Sequence, residues 1–235
     1  MNEPILSIIA GPIGNLGDLT LRALETLKRA DLVVAEDTRV TRKLLNHYGI
    51  AKPLKSIHER SSVGRIGSLM DDITSRRYSQ VAYLTDAGTP GISDPGGRLT
   101  AAARAAGIRV EPIPGPSALT ALLQVAGVNI NDGFLFLGFL PKKKGRQTLL
   151  GRVKLARWPV VIYERGERLG KTLAQFRDIF GEDATVVVGR ELTKLHEEVG
   201  VFKIGDAVNS IISKKGEFTV LVIPNKYRGK SYETI

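Results

Sequence analysis

The sequence predicts an α/β protein of two domains, residues 1–130 built on a mainly parallel sheet and residues 131–235 on a mixed one. Two observations carry this reading. Through the first half, short apolar runs alternate with stretches of helical periodicity, the rhythm of βαβ crossovers and a parallel sheet. At 127–133 the chain reads GVNINDG, two glycines among polar turn formers, and beyond it the strand spacing changes.

In order, PILSIIAG (4–11) reads as a strand and LTLRALETLKRA (19–30) as a helix. DLVVAED (31–37) is a second strand, followed by the helical TRVTRKLLNHYG (38–49). PLKSIHE (53–59) is a short strand and SVGRIGSLMDDITSRR (62–77) a weaker helix. QVAYLTD (80–86), RLTAAARAAG (98–107), IRVEPIP (108–114) and PSALTALLQVAG (116–127) continue as strand, helix, strand and helix. Past the turn, GFLFLGFLP, PVVIYERG, ATVVVGREL, EEVGVFKI and GEFTVLVIP read as five strands. Helices at roughly 146–157 and 167–180, and a short one starting at Gly205, interrupt them. The polar tail NKYRGKSYETI is expected to fray.

One loop needs more explanation than a connection gives. LTDAGTPGISDPGG (84–97) packs four glycines, two prolines and two aspartates between a buried strand and a helix. Loops between strands and helices usually take ~2–6 residues. Glycines let a ligand approach the main chain, and prolines stiffen what would otherwise be a floppy turn. The loop is read as a binding loop, with Asp94 available to cap the helix that follows. In parallel sheets ligands bind beyond the carboxyl ends of the strands. The loops after strands one and four, and the AED closing strand two, are therefore expected at one crevice.

The chain is long enough, at 235 residues with 43% apolar content, to bury a substantial core. It has no cysteine, which excludes disulfides and thiolate metal sites. No run approaches the ~18–20 apolar residues of a membrane span, and the start MNEPILSIIAGP lacks the features of a signal peptide. A cytoplasmic protein with no membrane partner is expected. Lys and Arg total 34 against 24 Asp and Glu, an excess of +10 that favours a polyanionic partner such as nucleic acid. With 6% aromatic residues, extensive base stacking is not expected.

Several smaller motifs admit two readings. GPIGNLGD (11–18) has the spacing G-x-x-G-x-x-G rather than the G-x-G-x-x-G of dinucleotide folds, although Glu36 and Asp37 lie where a ribose-binding acid would. The one GKS, at 229–231, lacks the upstream glycine and following helix of a phosphate loop. PGPSA (114–118) is a good helix start. His47, His58 and His196 show no metal-ligand spacing, so no metal is expected. KKKGR (142–146) is either a solvated loop or a phosphate contact through Lys142, Lys143, Lys144 and Arg146.

Taken together, GPIGNLGDLTLRALETL, AEDTRVTRKLL, LTDAGTPGISDPG, PIPGPSALTALL, GFLP, RELTKLHEE and KGEFTVLVI resemble the tetrapyrrole methylase superfamily. Within it they are most similar to the enzymes that methylate a cytidine ribose 2′-oxygen in 16S rRNA. The likeness runs in order from about Pro4 to Pro224. Two segments depart from the pattern. YERGERL (163–169) lacks the Ser-Pro pair usual after the glutamate, and HERSS (58–62) lacks the asparagine that commonly follows HE.

The resemblance implies S-adenosyl-L-methionine as cofactor, bound between the two domains, the small ribosomal subunit as partner, and a homodimer. Matched residue by residue, it implies that Pro12, Asp86, Ala87, Gly88 and Ile92 contact the cofactor, with Ser117 and Ala118 on its other side and Tyr163 closing over it. The acceptor hydroxyl must shed a proton, and Glu36, then Asp37, are the candidate bases; either equally serves to order the helix that follows. Arg39, next to these acids, joins the lysine loop as an expected RNA contact. Two other readings stand beside this one: methylation of a tetrapyrrole or a modified protein side chain on the same fold, or RNA binding without catalysis. The basic charge favours RNA over a tetrapyrrole, and intact Asp86, Gly88 and Pro90 argue for catalysis.

Overall fold

The computed structural model describes residues 3–58, 60–94, 96–128, 130, 132–210, 215–225 and 227. The chain divides into two compact units, Met1–Ser117 and Ala118–Ile235.

In the first unit, strands β1 (Ile5–Ile9), β2 (Leu32–Ala35), β3 (Leu54–Ser56), β4 (Gln80–Leu84) and β5 (Arg109–Ile113) form one sheet in the order β3-β2-β4-β1-β5. Every pairing is parallel, as the alternating sequence predicts. Helices α1 (Leu21–Arg29), α2 (Thr38–His47), α3 (Val63–Thr74) and α4 (Gly96–Ala105) make the crossovers. A parallel sheet needs both faces covered, which is why its strands read as unbroken apolar runs. On one face Leu6, Val34, Val81 and Tyr83 pack with Leu69 and Ile73 of α3 and Leu99 of α4. On the other, Ile9, Val33, Ala82 and Leu84 pack with Ala23 and Leu27 of α1 and Leu44 and Leu45 of α2. Polar side chains start these helices where the strands end. Thr20 accepts the Ala23 N–H at 3.2 Å, and Asp37 accepts the Arg39 N–H at 2.8 Å.

The second unit opens with α5 (Ala118–Val125). Its strands β6 (Leu135–Phe139), β7 (Val160–Arg165), β8 (Thr185–Arg190), β9 (Glu198–Lys203) and β10 (Glu217–Ile223) form a sheet in the order β6-β7-β10-β8-β9. Only β6 and β7 pair in parallel, the rest antiparallel, so the sheet is mixed. Helices α6 (Arg146–Ala156), α7 (Gly166–Phe180) and α8 (Ile204–Ser210) lie between the strands. Val160, Ile162, Val186, Val188, Val220 and Val222 bury against Val153, Leu173, Phe176 and Ile204. Helix α5 packs against this sheet: a Cβ added at Gly189 of β8 would stand 2.9 Å from the Leu122 side chain. That packing assigns α5 to the second unit, ahead of the turn at 127–133 where the sequence placed the boundary. Most of the polar tail lies outside the described residues.

Phe176 is fully buried at the centre of the second core. Phe176→Ala should lower unfolding stability by about 3–5 kcal/mol, the range for deleting a buried aromatic ring. Urea denaturation followed by far-UV circular dichroism measures it; a loss under about 1 kcal/mol would mean the site collapses around the gap.

Candidate active site

The loops that follow β1 and β4 are joined by a backbone bridge. Gly11 N–H donates to Gly88 O at 3.0 Å, and Gly88 N–H donates to Gly11 O at 3.1 Å. Gly88 has φ +75°, a left-handed conformation that side-chain-bearing residues reach only at a cost, and a Cβ there would stand 3.2 Å from Ile13. Thr85 Oγ1 adds a bond to Gly88 O at 3.1 Å. The loop after β5 joins the same cluster. Thr89 Oγ1 donates to Pro116 O at 3.1 Å, and a Cβ at Gly115 would meet the Ala10 carbonyl at 3.0 Å. Three sequence motifs, GPIG, the long glycine loop and PGPS, thus converge at the carboxyl ends of β1, β4 and β5.

The rest of the long loop is organised by its second aspartate. Asp94 accepts the Gly91 N–H through both carboxylate oxygens, at 2.8 and 3.0 Å, and the Gly96 N–H at 2.9 Å. The capping role read for Asp94 takes this form, since Gly96 begins α4. A Cβ at Gly96 would crowd the Asp94 carboxylate at 3.0 Å, so glycine is needed there too. The loop is built rather than loose.

Along this edge the acidic residues behave differently. Asp37 caps α2, and its carboxylate receives the Arg39 side chain through Nε at 3.1 and 3.2 Å and Nη2 at 2.6 Å. That contact holds the Asp37 carboxyl down to about 2. Asp86 accepts the Asp37 N–H at 3.0 Å, which ties the end of β4 to the end of β2. Burial pushes the Asp86 carboxyl above the ordinary aspartate range, with the negative Asp37 adding to the rise; the Asp37 N–H and the charge of Arg39 oppose it. Glu36 follows β2 directly: its N–H donates to Leu84 O at 3.4 Å, and its carbonyl accepts from Ser56 Oγ at 3.1 Å. Tyr83, fully buried in β4, has its phenol pushed up by burial and then by the charges of Asp94, Glu36 and Asp86, which places three carboxylates around one strand end.

The other expected site residues divide by unit. Pro12 and Ser117 are buried, Asp86 and Ala87 are exposed, and Ile92 is 37% exposed on the loop surface. Arg39 is exposed but engaged with Asp37. Ala118 and Tyr163 belong to the second unit. There Tyr163 Oη accepts the Leu119 N–H at 3.2 Å, and its ring meets Phe136 edge-on at 5.1 Å.

Lys142, Lys143 and Lys144 are exposed, as a phosphate-contacting loop requires. Arg146 is not with them. It is 7% exposed and donates to Gln175 Oε1 at 2.9 and 2.7 Å, to Thr172 Oγ1 at 2.8 Å and to Pro141 O at 3.1 Å. Thr172 in turn donates to Glu164 at 2.8 Å, and Arg168 pairs with Glu164 at 2.6 Å. Arg146 therefore anchors the loop from inside, and the reading of it as a phosphate contact is corrected to that role. The departing segment YERGERL contributes Glu164, which is fully buried, and Arg168 to this network. In HERSS, Ser61 Oγ accepts the His58 N–H at 2.9 Å and closes a local turn; Glu59 lies outside the described residues.

A parallel sheet with glycine-rich loops meeting at its carboxyl edge, followed by a mixed-sheet unit, is the architecture of a two-unit methylase. The family model for tetrapyrrole (corrin/porphyrin) methylases matches residues 6–208, and the chain belongs to that family. Its likeness extends to proteins named ribosomal RNA small subunit methyltransferase I. To that of Thermotoga maritima it is 44% identical over 219 residues, which cover 92% of this chain and 97% of the other. To that of Synechocystis it is 42% identical over 221 residues, 93% of this chain and 78% of the other. Among solved structures, the methyltransferase CobJ matches with a TM-score of 0.70 over 98% of both chains at 18% identity. The cobalt precorrin-4 methyltransferase CbiF matches with 0.64 over 94% of both at 19% identity, a likeness of fold.

The Asp37–Arg39 contact has a titration consequence. A depressed Asp37 adds stability that is present above the ordinary aspartate value and lost as pH falls through about 2. The raised Asp86 works oppositely: its contribution is present at low pH and lost as pH rises through its shifted value. Arg39→Ala should move the Asp37 midpoint up towards the ordinary value and raise Asp86 further. Carboxyl-detected NMR titration reads both; unmoved midpoints would mean that Arg39 controls neither.

Gly88→Ala should cost about 1–2 kcal/mol in urea denaturation, because the side chain must adopt a left-handed backbone. A neutral substitution would mean that the bridge rearranges.

Proposed function

We propose that this protein transfers a methyl group from S-adenosylmethionine to the 2′-oxygen of a cytidine ribose in the small-subunit ribosomal RNA. The observation that carries this reading is the continuous likeness, through both units, to proteins named for methylation of that RNA. The exposed lysines 142–144 and the +10 balance suit an RNA acceptor better than a small tetrapyrrole. Such an enzyme would work in the cytoplasm, where ribosomes are assembled, and the reading includes the homodimer that the resemblance implies.

The site residues fit the cofactor. Gly88 is buried with its backbone bonded to Gly11, and an added Cβ would stand 3.2 Å from Ile13 and 3.8 Å from Pro116 O, so glycine there lets the loops pack closely and holds the neighbouring Asp86 and Ala87 exposed. Asp86 brings an exposed carboxylate to the same edge. When bound, S-adenosylmethionine would supply a methyl carbon on a cationic sulfonium whose leaving group is a neutral thioether. Asp86 and the backbone carbonyls of the loop are the groups suited to its positive charge, with Pro12, Ala87, Ile92, Ser117, Ala118 and Tyr163 as further contacts. Rigid loops contribute by orientation, an effect that reaches ~7–11 kcal/mol in well-aligned reactions.

The ribose hydroxyl must lose its proton as the new O–C bond forms. Asp37 is a poor acceptor, because Arg39 holds its carboxyl down to about 2 and its oxygens already serve α2. Glu36, on the adjoining residue, is the proposed base. Incubation with labelled S-adenosylmethionine and undermethylated small subunits, followed by mapping of the label, tests the reading. A single labelled cytidine ribose is expected; label on a base would overturn the ribose assignment, and no transfer would overturn the function. Glu36→Gln should slow single-turnover methylation by roughly 10²–10⁴-fold with cofactor affinity unchanged. A fall below about tenfold would leave positioning as the source of the rate.

A further inference from the structure

We infer that Phe139 is a stacking platform for a nucleobase of the RNA strand whose phosphates meet Lys142, Lys143 and Lys144. This rests on the proposed RNA substrate and adds a subsite to it. A lone exposed apolar side chain says little. The setting of Phe139 says more. It ends β6 with 49% of its surface exposed, three residues before the lysines, while its neighbours Gly138 and Leu140 are buried.

The ring is held in place. It lies 5.6 Å from the Tyr163 ring at 59°, and Tyr163 is fixed by its hydrogen bond to Leu119 and its edge contact with Phe136. The segment between ring and lysines is pinned as well. Arg168 donates to Leu140 O at 3.3 Å and Arg146 to Pro141 O at 3.1 Å, while Arg146 N–H closes the loop onto Lys143 O at 3.3 Å. A preset aromatic and a preset cationic loop therefore stand within three residues of chain, at most about 10 Å. Single-stranded nucleic acid is held by this combination, bases on aromatic rings and phosphates on cations. Trp158, the other exposed aromatic among the described residues, is committed differently: its ring packs where a Gly133 side chain would be, 2.4 Å from the position of a Cβ.

The test compares three variants by binding to undermethylated small subunits over a range of salt. Phe139→Leu keeps an apolar side chain but loses the π face, and should weaken binding by roughly tenfold with an unchanged salt slope. Replacing Lys142, Lys143 and Lys144 by alanine should instead flatten the slope, by about 0.7 per lost single-strand contact. Phe139→Trp should retain affinity and show fluorescence quenching on RNA binding beyond that of Trp158 in the wild type. If the wild type methylates the subunit but Phe139→Leu binds as tightly, or if Phe139→Trp shows no quenching, the platform is wrong and the proposed function stands. If the wild type neither binds nor methylates the subunit, both fall.

Discussion

The paired backbone hydrogen bonds between Gly11 and Gly88 are the constraint on which the candidate site depends. β1 and β4 are parallel neighbours, so their following loops leave the sheet side by side with unpaired main-chain groups. An antiparallel bridge between those loops satisfies two donors and two acceptors that a bare loop would leave to water. Gly88 meets this bridge in the left-handed region, with φ +75°. Thr85 and Thr89 extend the tie, one within the loop and one to the segment after β5. The three segments are linked, so a ligand meeting any of them meets a surface ordered before binding, and less freedom remains to be lost.

That order sets what the acidic residues can do. A carboxylate that caps a helix and holds a guanidinium has its lone pairs occupied and its charge stabilised, so it accepts a further proton poorly. Asp37 is in this state. Asp86 differs: it accepts one backbone donor, and partial burial with the charge of Asp37 shifts its carboxyl upward, where a bound cation would shift it back down. Two aspartates bonded through a single backbone N–H thus stand in different electrostatic states, one lowered by its guanidinium and one raised by burial.

The fold was legible because its physics is local. Strands such as VAYL and LVVA are buried on both faces and carry no polar alternation, while helix starts at Thr20, Asp37 and Ser62 announce themselves by capping side chains. The glycine loop stood out by its composition as more than a connection, but its bridge to Gly11 joins positions far apart in the chain and left no local sign. Arg146 was misread for a physical reason. In KKKGR it looks like one more solvated cation, and what buries it, Thr172 and Gln175 on α7, leaves no local pattern. The grouping of α5 with the second sheet is equally non-local, since it depends on Leu122 meeting a glycine in β8. Phe139 gave no sign either: an aromatic ending an apolar run reads as core.

In the second unit, a buried polar network and an exposed basic loop are one construction. Glu164 without exposure would be costly as an isolated charge, and it is matched by Arg168 and by the Thr172 hydroxyl that Arg146 also engages. The same two arginines spend their remaining donors on the carbonyls of Leu140 and Pro141, which lead into the lysines. Replacing the network by apolar side chains could keep the core filled, because buried ion pairs add little net stability over a good hydrophobic fit. Those carbonyls would then lose their donors and the loop its fixed course. The network is better understood as positioning than as stabilisation: it holds still a segment whose three cations must stay in water, where their own interactions are too weak to order it.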